Sequence, residues 1–340
     1  MSQPLPASIL VVRLGAIGDV TNALAFASAC KAASPDTRIG WAVHPLAHPL
    51  VEGHPAVDRV HLWERGGGWS EWRRLVREIR DERYELAVDL QRIAKSSWLA
   101  RSSGAPRVLG YDRRRAKELS WLLTREHIPR GSPHAHMLEQ VMEFASYLGL
   151  ASSPPRRDLP ADERADVWAR ATVEELGGSP ILVNLGASKP ENRWPAARFG
   201  EVARRLLEDH GPVALIGGPG DRAAAVEALS AGGGGIADLV GKTDLRQLYH
   251  LMERSRLFVG CDTGPMHLAA SRGLPVVAIF GPADPRRTGP WGPQHHVLRR
   301  PPAPETGPAA PGRTEAIGVD EVCEAALGSL QATGQEFREF

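Results

Sequence analysis

Five short segments carry residue types at spacings able to do chemistry. The first lies within Ile9–Leu24, where GAIGDV follows an apolar run. Gly15 and Gly18 open backbone conformations closed to other residues and let a ligand approach the chain closely. Asp19 follows at the N-cap or first turn of a helix expected from about Val20 to Ala33. A carboxylate there can serve as a base, but aspartate is also a preferred N-cap, so capping alone accounts for it as well. The GxxGD spacing lacks the GxGxxG of a dinucleotide fingerprint, and no acid follows cleanly on the second strand.

The second segment is CDTGPMHLAASRG, Cys261–Gly273, directly after the apolar LFVG. Asp262 or Thr263 can cap a helix there, and Pro265 sits where a first-turn proline is tolerated. The N–H groups of Thr263, Gly264 and their neighbours then form a phosphate site at the carboxyl end of a strand. Asp262 would repel phosphate and suits sugar hydroxyls beside it, while His267 shares a face with Thr263 by i, i+4 spacing. A capped structural helix with a core histidine is the plainer alternative. The third segment, GASKPENRWPAARF, offers Ser188, Lys189, Asn192 and Arg193 ahead of a helix, a composition that suits a pyrophosphate. It reads equally as a basic surface loop anchored by Trp194.

The fourth segment, LIGGPGDR, joins a glycine-rich turn to Asp221, a candidate partner for ribose hydroxyls. The fifth, GKTDL at Gly241–Leu245, lacks the upstream glycine spacing of a P-loop, so an NTPase reading fails. The histidine pairs His44/His48, His134/His136 and His295/His296 lack a consistent carboxylate or cysteine partner for a metal. Asp-x-Asp is absent, which argues against a metal-held nucleotide sugar. A diphosphate leaving group would then need a helix dipole and cations instead.

These segments require strands to carry them. Apolar runs at Ile9–Leu14, Arg38–Val43, Val57–Leu62, Leu86–Leu90 and Arg107–Leu109 alternate with helical patterns at Trp69–Glu82 and Ile93–Ser103. That βαβ rhythm implies a parallel sheet with right-handed crossovers. A helix around His134–Leu148 is followed by ASSPPRRDLP, Ala151–Pro160, the expected linker. The rhythm restarts with strands at Ile181–Leu185, Pro212–Ile216, Leu257–Gly260 and Pro275–Ile279. Helices are expected between them and at Val319–Ala332, with Pro301–Pro311 as a loop. Two doubly wound halves place a ligand cleft between them, and no sequence repeat relates the halves.

At 340 residues the chain suits two α/β domains. No apolar run approaches the roughly 18 residues that span a bilayer, and the N-terminus lacks a basic signal region. Cys30, Cys261 and Cys323 form neither a disulfide framework nor a zinc spacing, so a reducing cytoplasm is expected. The net charge of +1 conceals an excess of seven between Arg65 and Arg130, with sixteen Arg or Lys against nine Asp or Glu. Solvated helix faces explain such an excess, and so does a docking surface for something acidic.

Taken in order, ILVVRLGAIGDVTNALA, AVDLQRIAKSSWLAR, NLGASKPENRWP, LIGGPGDR, DLVGKTDL, CDTGPMHLAA and IFGPADPRRTGPWG resemble glycosyltransferase family 9 from about Ile9 to Val322. That family contains the ADP-heptose:lipopolysaccharide heptosyltransferases. DTGPMHLAA followed by FGPADPRRTGPWG is the most specific part. DLQRIAKSSWLAR and GYDRRRAKE make the chain look closer to heptosyltransferase I than to II. The resemblance implies a GT-B fold, two Rossmann-like doubly wound domains facing across a cleft. Residues 1–155 would bind the acceptor, 156–318 the nucleotide sugar, and 319–340 would form a C-terminal helix and tail.

It also implies an inverting single displacement without metal or resident cofactor. Heptose would pass from ADP-heptose to an inner-core acceptor of the Kdo–lipid A type. Asp19 stands where the family has its base. Arg13 stands at its basic residue near the acceptor, and Gly18, Lys95 and Arg113 fall on that side. Asp262, Thr263, Gly264 and His267 match the donor run, Thr243 the nucleotide rim, Ser188 a phosphate contact and Asp221, approximately, the ribose. Members often carry lysine two residues before the Trp-Pro pair, where this sequence has Asn192, so Lys189 or Arg193 would supply that charge. The expected protein is a cytoplasmic monomer in peripheral contact with the inner membrane face and an anionic glycolipid, without nucleic acid. The alternatives are a nucleotide-sugar epimerase on the same fold, a family 9 transferase for another sugar or acceptor, and a non-catalytic sugar-nucleotide binder.

Overall fold

The structure, a computed structural model, describes residues 4–64, 66–150, 155–187, 189–300 and 313–336, the last four by backbone alone. The chain divides into two units, Met1–Ala161 and Asp162–Phe340.

The first unit contains the strands β1 (Ser8–Val12), β2 (Arg38–Val43), β3 (Arg59–Leu62), β4 (Leu86–Asp89), β5 (Arg107–Gly110) and β6 (Glu126–His127). Its helices are α1 (Ile17–Ala33), α2 (His48–Val51), α3 (Gly68–Asp81), α4 (Ala94–Ser102) and α5 (Met137–Tyr147). All strands are parallel, in the order β3-β2-β1-β4-β5-β6. β1 is SILVV, buried along its whole length, as a central parallel strand covered on both faces must be. Val12 lies level with Ala42 on one side and Asp89 on the other, which aligns the carboxyl ends of β1, β2 and β4.

The second unit opens with α6 (Glu163–Glu175) and contains β7 (Ile181–Asn184), α7 (Ala196–His210), β8 (Val213–Ile216), α8 (Arg222–Gly232) and β9 (Ala237–Asp238). It continues with α9 (Leu245–Met252), β10 (Leu257–Cys261), α10 (Gly264–Ser271), β11 (Val276–Phe280), α11 (Pro285–Thr288), β12 (His296–Arg299) and α12 (Val319–Glu336). The order β12-β11-β10-β7-β8-β9 repeats that of the first unit, again with parallel pairs. In each sheet the first strand lies beside the fourth, and the winding reverses between them. Loops leaving the two strands diverge there, so a crevice opens at their carboxyl ends.

Several boundaries differ from those the sequence suggests. β1 ends at Val12 rather than Leu14, and α1 begins at Ile17, three residues before Val20. β6, β9 and β12 were not anticipated. They are short outer strands with partly exposed residues and carry no apolar run to announce them. Residues 155–160 form no helix or strand, but they are tied to the first unit. Arg157 donates to Asn22 Oδ1 at 3.2 Å, and His54 Nε2 bonds to the carbonyl of Asp158 at 2.8 Å. The first unit therefore runs to Ala161 instead of ending at residue 155. α12 packs on α7, β10 and β11 and belongs to the second unit. Residues 151–154 and the expected loop Pro301–Pro311 lie outside the described residues.

α7 follows the turn that holds Trp194 and α8 the turn that holds Asp221, and the two helices pack backbone to backbone. A Cβ on Gly200 would overlap the carbonyl oxygen of Ala228. Gly200→Ala should therefore cost about 1–3 kcal/mol by overpacking. Thermal unfolding should show this as a drop of about 2–4 °C per kcal/mol. An unchanged midpoint would mean that the two helices can separate freely.

Candidate active site

In the first unit the chain leaves β1 through Arg13 and Leu14. Arg13 is buried, and its guanidinium donates to the carbonyl oxygen of Leu90 while pairing with the carboxylate of Asp19. Trp41 Nε1 donates to the Arg13 carbonyl at 3.1 Å, and Leu14 N–H donates to Gln91 Oε1 at 2.7 Å. The ends of β1 and β4 are thereby laced together at the reversal of winding. Asp19 lies in the first turn of α1, whose N-cap is Ala16 with no side-chain cap. Capping thus does not explain Asp19. Its side chain is 37% exposed, so the carboxylate that Arg13 orients still reaches solvent. Gly18 is buried within the same turn.

The polar residues after β4 were not singled out from the sequence. Asp89 is buried and accepts from Ser97 Oγ and from Gln91 N–H at 2.9 Å; burial raises its carboxyl above the usual range despite these bonds. Arg92 donates to Gln140 Oε1 at 3.3 Å and lies 5.2 Å from the Tyr111 ring. Burial pushes the Tyr111 hydroxyl up to about 12. The signal was the polar DLQR at the end of an apolar strand.

The basic loop after β5 divides by burial. Arg115 is buried between Asp112 and Glu143, at 2.7 Å from the latter, so of the basic excess between Arg65 and Arg130 this side chain is not available to an acidic ligand. Arg113 and Arg114 are exposed, and with Asp112 and Arg130 they line a depression of about 480 Å³. Lys95 is exposed on α4, its ammonium 4.0 Å from the Trp63 ring centroid.

In the second unit, β10 delivers Asp262 to the corresponding reversal. Thr263 is the N-cap of α10 and forms no side-chain cap, so its hydroxyl leaves the first-turn N–H groups to other acceptors. His267 Nε2 lies 4.0 Å from Asp262 Oδ1. The turn after β7 meets the turn after β8 through Asp221. Its carboxylate accepts from Gly218 N–H at 2.9 Å and lies 3.6 Å from Arg193. A Cβ on Gly186 would come within 2.7 Å of the same carboxylate. Asp221 is thus engaged in joining the turns.

Lys189 and Arg193 are exposed, whereas Asn192 is buried with its amide oxygen toward Gly281. Trp194 is buried and anchors the turn by donating to the Ile317 carbonyl at 3.1 Å. Thr243 precedes Asp244, which caps α9, and Gly241 N–H reaches the Gly217 carbonyl at 2.9 Å. Arg193 and Asp221 therefore form one cluster, the turn before Thr243 adjoins it through Gly217, and Asp262 with His267 forms another. Ser188 lies outside the described residues.

Among the described residues, one trio brings three potential metal ligands together: Asp166, His250 and Glu253, within 4.8 Å of one another. Arg254 and Arg170 occupy Asp166, and Arg254 and Arg272 occupy Glu253. A cation would have to displace three guanidinium groups. No described helix is long and apolar enough to cross a membrane.

Two doubly wound halves with polar turns at corresponding strand ends define a GT-B protein. The chain belongs to glycosyltransferase family 9, the heptosyltransferase family, whose model matches residues 72–308. It is 30% identical over 297 residues to lipopolysaccharide heptosyltransferase 1 of Pseudomonas aeruginosa, covering 84% of this chain and 81% of that one. Its fold matches a family 9 glycosyl transferase of Veillonella parvula with a TM-score of 0.86 at 23% identity, over 98% of this chain and 100% of the other. It also matches ADP-heptose lps heptosyltransferase II of Escherichia coli with a TM-score of 0.80 at 23% identity, over 96% and 99% of the chains. The chain is accordingly a glycosyltransferase enzyme, as the motif order implied.

The division of the basic loop is testable by unfolding. Arg115→Met removes the shared partner of Asp112 and Glu143 and should cost about 3–5 kcal/mol. Arg113→Met, at the surface, should stay within about 0.5 kcal/mol of the parent. Equal urea midpoints for the two variants would contradict the buried pairing.

Proposed function

We propose that this enzyme transfers heptose from ADP-heptose to an anionic inner-core acceptor of the Kdo–lipid A type, with inversion and without a metal. The observation that carries this reading is the carboxylate of Asp19, fixed by a buried arginine at the carboxyl end of β1 and still exposed to a ligand. The substrates are those in the names of its relatives, ADP-heptose for the Escherichia coli structure and lipopolysaccharide for the Pseudomonas enzyme.

Asp19 takes the proton from an acceptor hydroxyl as that oxygen attacks the anomeric carbon. The bond from that carbon to the diphosphate oxygen breaks, and ADP leaves with the electron pair. One displacement with one base inverts the anomeric centre. The first unit holds the acceptor: Arg13 and Gly18 flank Asp19, and Lys95, Arg113 and Arg114 attract its anionic groups. Arg115 has no part in that contact. The second unit holds the donor. The first-turn N–H groups of α10, with Lys189 and Arg193, offset the charge growing on the diphosphate. Asp262 and His267 take the sugar hydroxyls, and Thr243 and Ser188 border the nucleotide. The family's lysine is replaced by the exposed Lys189 and Arg193, because Asn192 is buried.

Metal independence is supported by the absence of Asp-x-Asp and by the arginines that occupy the Asp166–Glu253 trio. ADP-heptose is then a co-substrate, and no resident cofactor takes part. The chain works as a monomer on the cytoplasmic side, in peripheral contact with the inner membrane.

The deciding experiment is transfer from ADP-heptose to a Kdo–lipid A acceptor, followed by mass spectrometry, with and without EDTA. The expected product gains one heptose at the same rate in both. No product here, together with turnover of another nucleotide sugar, would overturn the substrate assignment. A rate lost in EDTA and restored by magnesium would overturn the leaving-group mechanism.

A further inference from the structure

Four tryptophans of the first unit meet on one surface. Trp72 stacks on Trp98 at 4.6 Å between ring centroids, Trp63 lies 5.1 Å from Trp72, and Trp69 meets Trp98 edge-on at 5.6 Å. Trp63 and Trp72 are buried, but Trp69 is 62% exposed and Trp98 43%. Together with Ala94, Lys95 and Leu123, the rings of Trp63, Trp72 and Trp98 line an apolar groove of about 520 Å³. Large exposed indoles beside an apolar groove are costly in water unless something else covers them.

Charge around the rings identifies that partner. On α3 the exposed residues Trp69, Arg73 and Arg77 follow one another at four-residue spacing, along one side of the helix. On α4 the exposed residues Lys95, Trp98 and Arg101 follow at three-residue spacing. Each helix therefore presents one indole flanked by cations, and the two indoles touch. The turn at Ser120–Leu122 adds Leu119 and Leu122, 66% and 59% exposed. It is fastened to the start of α4, with Lys117 N–H and Ser120 Oγ donating to the Arg92 carbonyl. Indoles favour the boundary between headgroups and acyl chains, and lysine and arginine beside them reach lipid phosphates. A second copy of the chain would instead set these cations against themselves.

We infer that the Trp69–Trp98 surface, with its groove and its flanking Arg73, Arg77, Lys95 and Arg101, docks on the anionic face of a phospholipid bilayer. This inference deepens the membrane contact proposed above and rests on that reading. Trp63 directly follows β3, and Lys95 lies in the first turn after β4, so the surface adjoins the carboxyl edge of the sheet that also carries Asp19. Docking there holds the acceptor side of the enzyme at the plane where a lipid-linked hydroxyl is presented.

The test is flotation with vesicles of phosphatidylglycerol and phosphatidylcholine, or of phosphatidylcholine alone, without donor or acceptor. Wild-type protein should float with the anionic vesicles, and its tryptophan emission should be quenched by brominated acyl chains. The double variant Trp69→Ser/Trp98→Ser should keep its fold by circular dichroism and lose affinity by on the order of tenfold or more, as expected for two interfacial indoles. Its transfer to a water-soluble, deacylated acceptor should remain that of wild type. Wild-type protein that fails to float, or a double variant that floats as well as the parent, overturns the inference. So does flotation without quenching, which would indicate electrostatic attraction alone. An equal loss on the deacylated acceptor assigns the indoles to acceptor recognition instead. Self-association abolished by the double variant, without vesicle binding, assigns the surface to a second copy. Tryptophan-dependent flotation with no heptose transfer to any acceptor would leave the docking surface standing and sink the substrate assignment.

Discussion

The pairing of Arg13 with Asp19 is the contact on which the acceptor side depends. A guanidinium in the interior needs partners for its donors, and here the Leu90 carbonyl and the Asp19 carboxylate take up its two terminal nitrogens. The first partner belongs to the segment after β4 and the second to the first turn of α1, so one side chain fixes three elements at the sheet's reversal of winding. Gln91 adds a second tie by accepting from Leu14 N–H. The position of Asp19 therefore follows from the closure of the sheet and not from the mobility of a loop. A base must meet its proton within hydrogen-bond reach, so this fixation bears directly on rate.

The second unit meets the same geometric problem with different chemistry. Its turns after β7 and β8 are joined by Asp221, and its first-turn N–H groups at α10 carry no side-chain cap. A helix dipole without a side-chain cap favours an anion, as do the exposed cations Lys189 and Arg193 on the turn after β7. The carboxylate of Asp262, just after β10, and the imidazole of His267, on α10 itself, favour hydroxyl groups. The two units share one strand order, while the residues at their crevices differ in sign: a carboxylate presented in the first, and helix N–H groups and cations in the second.

The sequence reveals the central strands clearly, because β1, β4, β7 and β10 are buried on both faces and read as short aliphatic runs. The outer strands β6, β9 and β12 were invisible for the complementary reason, since they are short and lack a buried face. Among the candidate site residues, Asp19 was legible as an acid at the start of a helix and Asp262 as a polar residue at a strand end. Whether Asp19 acted as a cap could not be read, because that depended on a three-residue difference in the start of α1. The burial of Asn192 and Arg115 was equally hidden, since both sit in loops whose packing partners, Gly281 and Glu143, are distant in sequence or on another element. The pairing of Trp69 with Trp98 across two helices left no periodic signal within either one.

The account rests most heavily on Asp19 as the base, and its conservative amide variant tests that claim. Asp19→Asn keeps an acceptor oxygen for Arg13 but not its charge, so stability should fall by about 1–3 kcal/mol while the protein stays folded and its ADP-heptose affinity matches the parent. Single-turnover transfer under saturating donor and acceptor should slow by about 10²–10⁴, the usual worth of a positioned general base. A variant that transfers heptose at nearly the parental rate would contradict the account and leave Asp19 as a structural partner of Arg13.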